Sequence, residues 1–487
     1  MTWMALTLIV YLSLLTVLSA NGLHRLWLLW AYRNRRACPQ VPQPSDWPSV
    51  TVQLPVFNER YVVERLIDAC GELDYPKEKL QIQVLDDSTD DTTARAASAV
   101  ERLRQRGLDA VLIHRVDRVG FKAGALQEGL QTARGELVAI FDADFIPPHD
   151  FLRETVPFLR GRVGMVQARW GHLNWDASWL TVAQSTLLDG HFVVEHTARH
   201  ASGRWFNFNG TAGIWRREAI EDAGGWQHDT LTEDLDLSYR AQLRGWEFLY
   251  RVDLVADAEL PPDMASFKTQ QSRWAKGSIQ TARKLLFRIW RAEVPLGVKT
   301  EATVHLTANL AYPLVLALSL LLPWAVAARI WGAPRELLQL DLLLFGAALL
   351  PFLAFYATAI VGSGRSGKRQ RLWRLPYALA LGLGIAVNQT WAVVDGALTA
   401  GGTFVRTPKR GNGGGGYRAR VHGLVGLELA MAVYLGAACV FVIASGYLAS
   451  LPFLALFACG YGAVGLQSAR AVLGSRRREV PPEPAAK

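Results

Sequence analysis

The chain opens on an apolar run, residues 3–30, and is strongly apolar again over most of 301–470, while 32–300 has a mixed composition. Runs of about 20 apolar residues are long enough to cross a bilayer as helices. Between them the pattern changes. From Val50 short apolar strands, at 50–54, 82–85, 111–113, 137–140 and 163–167, alternate with helical stretches at 58–73, 91–106, 122–133 and 150–160. That alternation predicts an α/β domain with a mostly parallel sheet and helices on both faces. Polar residues gather where strands end: Asn58 with Glu59, Asp86 with Asp87, and Asp142 with Asp144. Open α/β sheets bind ligands at that end of their strands, so the clusters on these strands predict one crevice.

Residues 264–293 read as a basic amphipathic helix, mixing Phe267, Trp274, Leu285, Leu286, Ile289 and Trp290 with Lys268, Arg273, Lys276, Arg283, Lys284, Arg288 and Arg291. Just before a membrane region, such a helix suits the cytoplasmic interface; a packed domain helix is the alternative. Charge then sets the topology. Arg33, Arg35 and Arg36 place the end of the first helix in the cytoplasm, and helices near 303–330 and 341–361 form a hairpin. The loop with Arg365, Lys368, Arg369, Arg371 and Arg374 is cytoplasmic. The next apolar stretch, 375–400, carries Asn388, Gln389 and Asp395 and is followed by more basic residues, so it reads as interfacial or re-entrant. Helices near 424–446 and 449–469 close an expected five crossings with the N-terminus outside. The domains expected are a transmembrane helix (1–31), a linker (32–48), a cytoplasmic α/β domain (49–262), an interfacial helix (263–300), two transmembrane helices (301–361), a cytoplasmic or interfacial segment (362–423), two more transmembrane helices (424–470) and a cytoplasmic tail (471–487).

Composition narrows the picture little further. The net charge of +9 lies largely beside the apolar runs, as the positive-inside rule expects, which argues against nucleic acid. Cys38, Cys70, Cys439 and Cys459 are scattered, with no metal spacing and no disulfide framework. The N-terminal run lacks a basic n-region and is too long for a cleaved signal.

The chemistry sits at the strand ends. Asp142-Ala143-Asp144 suits a hard divalent cation that keeps some waters and takes substrate diphosphate oxygens; standing alone, a solvated acidic turn would explain it as well. In Asp86-Asp87-Ser88-Thr89-Asp90-Asp91 helix capping covers several residues, but not the paired acids ahead of the cap, one of which could bond a nucleoside base or ribose. Lys122, near a helix start, favours phosphate. Thr232-Glu233-Asp234 opens a helix and either caps it or supplies a general base; spacing does not choose. Gln270, Arg273 and Trp274 share one helix face, where Trp274 offers a flat surface to a sugar ring and Arg273 a charge for diphosphate; an interface-anchoring Trp beside an Arg is the plainer account.

In order, Pro55…Asn58-Glu59, Asp86-Asp87, Lys122-Ala123-Gly124, Asp142-Ala143-Asp144, Phe208-Asn209-Gly210-Thr211-Ala212-Gly213, Thr232-Glu233-Asp234, Gln270-Gln271-Ser272-Arg273-Trp274 and Phe404-Val405-Arg406-Thr407-Pro408-Lys409 resemble a membrane-embedded family 2 glycosyltransferase of the cellulose synthase superfamily. The resemblance is strongest to the mannan, glucomannan and glucan synthase-like branch and its bacterial relatives. It implies a GT-A type nucleotide-sugar-binding domain joined to an α-helical transmembrane region. It also implies roles. Asp87 contacts the nucleotide, with Glu59 and Lys122 beside it, and Asp142 with Asp144 holds Mg²⁺ or Mn²⁺ on the diphosphate. On that resemblance Asp234 would be the catalytic base. Gln270, Arg273 and Trp274 bind the diphosphate and the terminal acceptor sugar, and Thr407 and Lys409 belong to a gating loop that closes over the nucleotide. The loop departs from cellulose synthases, with Arg406-Thr407-Pro408 where they have Val-Thr. A single helix precedes the catalytic domain, and no cyclic-nucleotide-sensing domain is expected after the last helix.

The leading expectation is an inverting glycosyltransferase at an inner or plasma membrane, moving sugar from a nucleotide sugar of the UDP-glucose or GDP-mannose type to a growing β-glycan, with processive export left open. One alternative adds a single β-sugar to diacylglycerol, ceramide or a polyprenyl carrier. Another is a transporter with a nucleotide-binding domain, against which the chain shows no inverted repeat. The expected partners are the donor, a glycan or lipid acceptor and the lipid bilayer; accessory export proteins are left open.

Overall fold

The computed structural model describes residues 2–36, 39, 41–332, 336–364, 372–373, 375–402 and 424–476. Its soluble part is built on strands β1 (Val50–Val56), β2 (Leu80–Asp86), β3 (Asp109–His114), β4 (Leu137–Ile140), β5 (Phe145–Ile146), β6 (Val163–His172), β7 (Gly213–Arg216) and β8 (Glu247–Ala258). They form one sheet in the order β3-β2-β1-β4-β7-β6-β8-β5. The first half is parallel: β1 pairs with β2 and β4, and β2 with β3. In the second half β7 runs antiparallel to both β4 and β6, β8 runs parallel to β6, and β5 antiparallel to β8. The order reverses between β1 and β4. Chains leaving neighbouring strands to opposite sides open a crevice at that point, outside the strands' carboxyl ends.

Period-2 alternation sends successive side chains to opposite faces. On one face Val50, Val52, Leu54, Ile82, Val84, Leu137 and Ala139 pack under the helices Val63–Gly71 and Thr92–Gln105. On the other, Leu85, Val138 and Ile140 meet the helices Phe121–Thr132 and Arg217–Asp222, with Leu237 and Ala241 of a third. That second face also holds buried polar residues, matched across the register. The Gln53 amide donates to Gln83 Oε1 at 3.0 Å, and the Thr51 hydroxyl to Gln81 Oε1 at 3.0 Å. Each bond satisfies one buried donor and one buried acceptor whose burial would otherwise be costly.

The helix Met264–Arg291 joins the two halves of the molecule. Asp263 caps it, its Oδ1 accepting from the Ser266 amide at 2.9 Å. Ala282, Leu285 and Ile289 pack on Leu235 and Tyr239 of the sheet domain, while Ala275 and Ile279 pack on Ala392 and Val393 of the helix Ala386–Leu398. The helix read from sequence as amphipathic and interfacial is therefore sandwiched between domain and apolar helices. Only its far end keeps large apolar side chains exposed, at Phe287 and Trp290.

Among the described residues five helices are long and apolar enough to cross a membrane: Trp3–Arg33, Leu296–Ile330, Leu337–Gly362, Val425–Ala444 and Leu448–Leu473. The stretch read as interfacial or re-entrant forms two helices, Leu375–Gly384 and Ala386–Leu398, that meet at 47°. Its polar residues face protein. Asn388 Nδ2 donates to the Lys268 carbonyl at 3.3 Å and Gln389 Nε2 to that of Gln271 at 3.2 Å.

Candidate active site

The acidic pair follows β4 directly. Phe141 is fully buried and packs edge-on against Phe151 at 4.8 Å, which anchors the turn. The Asp142 amide donates to Thr211 Oγ1 at 2.9 Å, tying it to the loop before β7. Lys122 stands at the second position of its helix and donates to Asp142 Oδ1 at 2.5 Å and to the Gly210 carbonyl at 2.8 Å. Burial alone would depress the Lys122 ammonium, but Asp142, Glu233 and Asp234 outweigh it and hold its pKa above the ordinary lysine value.

At the end of β2 the two neighbouring acids divide their work. Asp86 is buried and holds the turn, accepting from the Ser88 amide at 3.0 Å and the Thr93 hydroxyl at 2.6 Å, with His114 Nδ1 at 2.8 Å. Asp87 lines the cleft. Arg115 grips it from behind with two parallel hydrogen bonds, Nε to Oδ1 at 2.7 Å and Nη2 to Oδ2 at 2.6 Å. Such a bidentate pair fixes the carboxylate plane. Beside it Arg118 lies 3.4 Å over the centre of the Phe57 ring, and both line the same cleft.

Asp234 occupies the first turn of the helix Glu233–Leu243. Its Oδ1 accepts from the Leu235 amide at 2.8 Å. Gly210 has φ +80, a conformation that favours glycine, and a Cβ there would also crowd the Asp234 Oδ2 at 3.0 Å. Burial pushes the Asp234 carboxyl up, adjacent Glu233 pushes it further, and Lys122, the Leu235 amide and Arg273 pull it down. The balance is a pKa raised to about 7.

Gln270, Arg273 and Trp274 reach the cleft from the helix Met264–Arg291. Burial lowers the Arg273 pKa against the raising effect of Glu233, Asp142, Asp234 and Asp144, an acidic wall that its guanidinium faces. One cleft is thus lined by Glu59, Asp87, Lys122, Asp142, Asp144, Asp234, Gln270, Arg273 and Trp274. Thr407 and Lys409, the expected gating residues, lie outside the described residues. Phe57, Arg118, Trp170, His172 and Asn209 also line the cleft without having been given roles from the sequence. Asn209 lies within Phe208-Asn209-Gly210-Thr211-Ala212-Gly213, one of the segments that carry the resemblance. Trp170 and His172 lie on β6 beyond its expected end at 167, and nothing local in the sequence marked Arg115 as the partner of Asp87.

A divalent cation fits the acidic pair as a shared rather than a caged ion. No group of three or more His, Cys, Asp or Glu that could hold a metal is found among the described residues. Two carboxylates leave most positions of a hard cation to water and diphosphate oxygens, the coordination that Mg²⁺ and Mn²⁺ take in nucleotide sites.

Residues 48–277 match the family described as Glycosyltransferase like family 2, a span that contains every described cleft residue named above. Glucomannan 4-beta-mannosyltransferase 2 of Arabidopsis thaliana is 42% identical over 306 residues, 59% of this chain and 57% of its own length. Glucomannan 4-beta-mannosyltransferase 1 of Oryza sativa subsp. japonica is 42% identical over 269 residues, 53% of this chain and 52% of its own. The chain therefore spans about half the length of these relatives. Among solved structures, the mannosyltransferase PcManGT from Pyrobaculum calidifontis in complex with GDP-Man and Mn2+ is similar, with a TM-score of 0.52 and 25% identity over 80% of this chain and 99% of that one.

Proposed function

We propose that the chain is an inverting glycosyltransferase that extends a β-glycan from a nucleotide sugar, a reading supported by the match of residues 48–277 to the family described as Glycosyltransferase like family 2. The observation that carries this is the convergence of Asp87, Lys122, Asp142, Asp144, Asp234, Gln270, Arg273 and Trp274, from widely separated segments, on one cleft. The similarity to glucomannan mannosyltransferases, and to a structure holding GDP-Man, makes GDP-mannose the first donor to test, ahead of UDP-glucose. The basic segments beside the apolar helices support a cytoplasm-facing domain at an inner or plasma membrane.

In this reading Asp87, its plane fixed by Arg115, takes the nucleoside, and the Phe57–Arg118 shelf receives the base. Lys122, Gln270 and Arg273 hold the diphosphate. Asp142 and Asp144 would hold the divalent cation, whose charge, when bound, stabilises the leaving group. Trp274 supports the acceptor ring, and Asp234 removes the proton from the attacking hydroxyl. That hydroxyl attacks the anomeric carbon on the face opposite the diphosphate. A base with a pKa near ambient pH combines the correct protonation state with driving force for the transfer.

Three outcomes follow from this chemistry. Asp234 works only when deprotonated, so the rate should rise with pH through an inflection near 7 and then level off. Glu233 raises that pKa, so Glu233→Gln should move the inflection of the pH–rate profile to lower pH; an unmoved inflection would separate it from Asp234. Incubating the lipid-reconstituted chain with GDP-mannose or UDP-glucose should release free nucleoside diphosphate only with a divalent cation present. Chelation should stop release and added Mn²⁺ should restore it. Release from no sugar nucleotide would sink the proposal, and a glycolipid of fixed size as product would replace the glycan acceptor by a lipid.

A further inference from the structure

The cleft wall beside Trp274 is held by an unusual turn. Between the helices Trp179–Asp189 and His196–Ala201 the chain winds through a π-helical turn, Gly190–Glu195. Single π turns inside helices carry one extra residue and are frequent at functional sites. A Cβ on Gly190 would stand 2.5 Å from the Tyr356 ring, so the turn is pressed against the apolar helix Leu337–Gly362.

From that turn two adjacent residues reach toward the cleft. The Phe192 ring stacks on Trp170 at 4.7 Å, and Trp170 lies 6.4 Å from Trp274. His191 lies beside Asn209. Burial would raise the Glu195 carboxyl, but Arg199, His191 and Arg25 outweigh it and hold it well below the usual range, hence ionised. His191 Nδ1 therefore carries the proton and donates to Glu195 Oε2 at 3.0 Å, which leaves Nε2 to accept from Asn209 Nδ2 at 3.1 Å. The chain of partners continues to Arg199, 3.5 Å from Glu195, and on to Glu301, to which Arg199 Nε donates at 2.9 Å.

Two polar atoms at this wall are buried with no hydrogen-bond partner among the described residues: the donor Nε1 of Trp170 and the acceptor Oδ1 of Asn209. Buried polar groups are nearly always paired, so two orphans of opposite kind on one cleft call for an explanation. A sugar ring supplies both complements, since its hydroxyls donate and accept. We propose that Trp170 and Asn209 complete an acceptor-sugar subsite with Trp274, and that the turn Gly190–Glu195 positions them through Phe192 and His191. The ligand is the terminal ring of a glycan chain, resting on Trp274 with Trp170 and Asn209 at its edge. This rests on the glycosyltransferase reading above.

The test uses the full chain in lipid nanodiscs, the sugar nucleotide on which the wild type is active, and a β-linked mannooligosaccharide as acceptor. Trp170→Ala and Asn209→Ala should each raise the acceptor KM about tenfold while the donor KM stays within about twofold, the signature of lost acceptor binding alone. His191→Ala should give a smaller rise, and His191→Gln, whose Oε1 can still accept from the Asn209 amide, should largely restore it. If Trp170→Ala fails to fold, Trp170→Phe carries the test, keeping the ring and losing the N–H, with an intermediate acceptor KM. Well-folded variants with an unchanged acceptor KM, or with a raised donor KM instead, overturn the subsite. So does a wild type that glycosylates lipid and ignores the oligosaccharide. A wild type that releases no nucleotide from any donor fails the underlying function instead.

Discussion

Asp234→Asn is expected to lower sugar transfer by ~10³ while nucleotide affinity stays within about threefold, the range over which a positioned general base contributes. Asparagine has nearly the same shape, and its side-chain carbonyl can keep the bond to the Leu235 amide that orients Asp234. What it loses is the ability to take a proton. Nucleotide affinity is spared because the groups assigned to the diphosphate, Lys122, Gln270 and Arg273, are untouched. Turnover measured beside nucleotide binding by calorimetry separates the two effects. Transfer at the wild-type rate in this variant would remove Asp234 from the chemistry.

A second large effect is expected away from the cleft. Lys268, two residues before Gln270, is buried and donates to Glu428 Oε1 at 2.6 Å and to Ser468 Oγ at 3.3 Å. These contacts bind the helix Met264–Arg291 to the helices Val425–Ala444 and Leu451–Arg476. Lys268→Met leaves the Glu428 carboxylate buried without its partner, a loss of about 3–5 kcal/mol for pairs of this kind. Replacing both partners by apolar residues removes the unmatched charge, so Lys268→Met with Glu428→Leu should regain most of the lost stability. Activity should follow stability, because the same helix presents Gln270, Arg273 and Trp274. Thermal unfolding of the two single variants and the double in one lipid composition measures the coupling. Equal melting of Lys268→Met and wild type would show that this pair does not hold the helix.

The parallel half of the sheet was legible in the sequence because each of its strands is a short apolar run with polar residues at its end. Strand β4 falls where expected, and β1, β2 and β3 each extend only a few residues beyond the runs that marked them. In the antiparallel half only the start of β6, at Val163, was legible. Strand β5 has two residues and β7 four, too short to show a period, and β8 alternates buried and exposed positions with charges along its length. Strand β6 runs on to His172 because β8 pairs beside it through a bulge at Ala168/Arg169, and Gly171 leaves room for the Asp257 carboxylate. That pairing carries Trp170 and His172 to the cleft, and no local pattern announces it.

The candidate site divides in the same way. Acids at strand ends and the Gln270–Trp274 face could be found because strand ends and helical spacing are local properties. The partner of Asp87 could not. Arg115 reads as one more basic residue after β3, and only the parallel register of β2 with β3 brings the two together. The surroundings of the helix Met264–Arg291 are only partly legible for a related reason. Its mixed composition fits a lipid interface, yet the polar groups of the broken helix at 375–398 and the buried Glu428 satisfy much of that polarity within the protein.

The geometry of the bond the chain makes tests this chemistry most directly. Nucleotide hexoses such as GDP-mannose and UDP-glucose carry an α-linked sugar, and a single displacement driven by one base must invert it. The anomeric configuration of the product formed by the reconstituted chain, read by nuclear magnetic resonance, should be β. A product with the α configuration retained would contradict a one-step attack on the anomeric carbon assisted by Asp234.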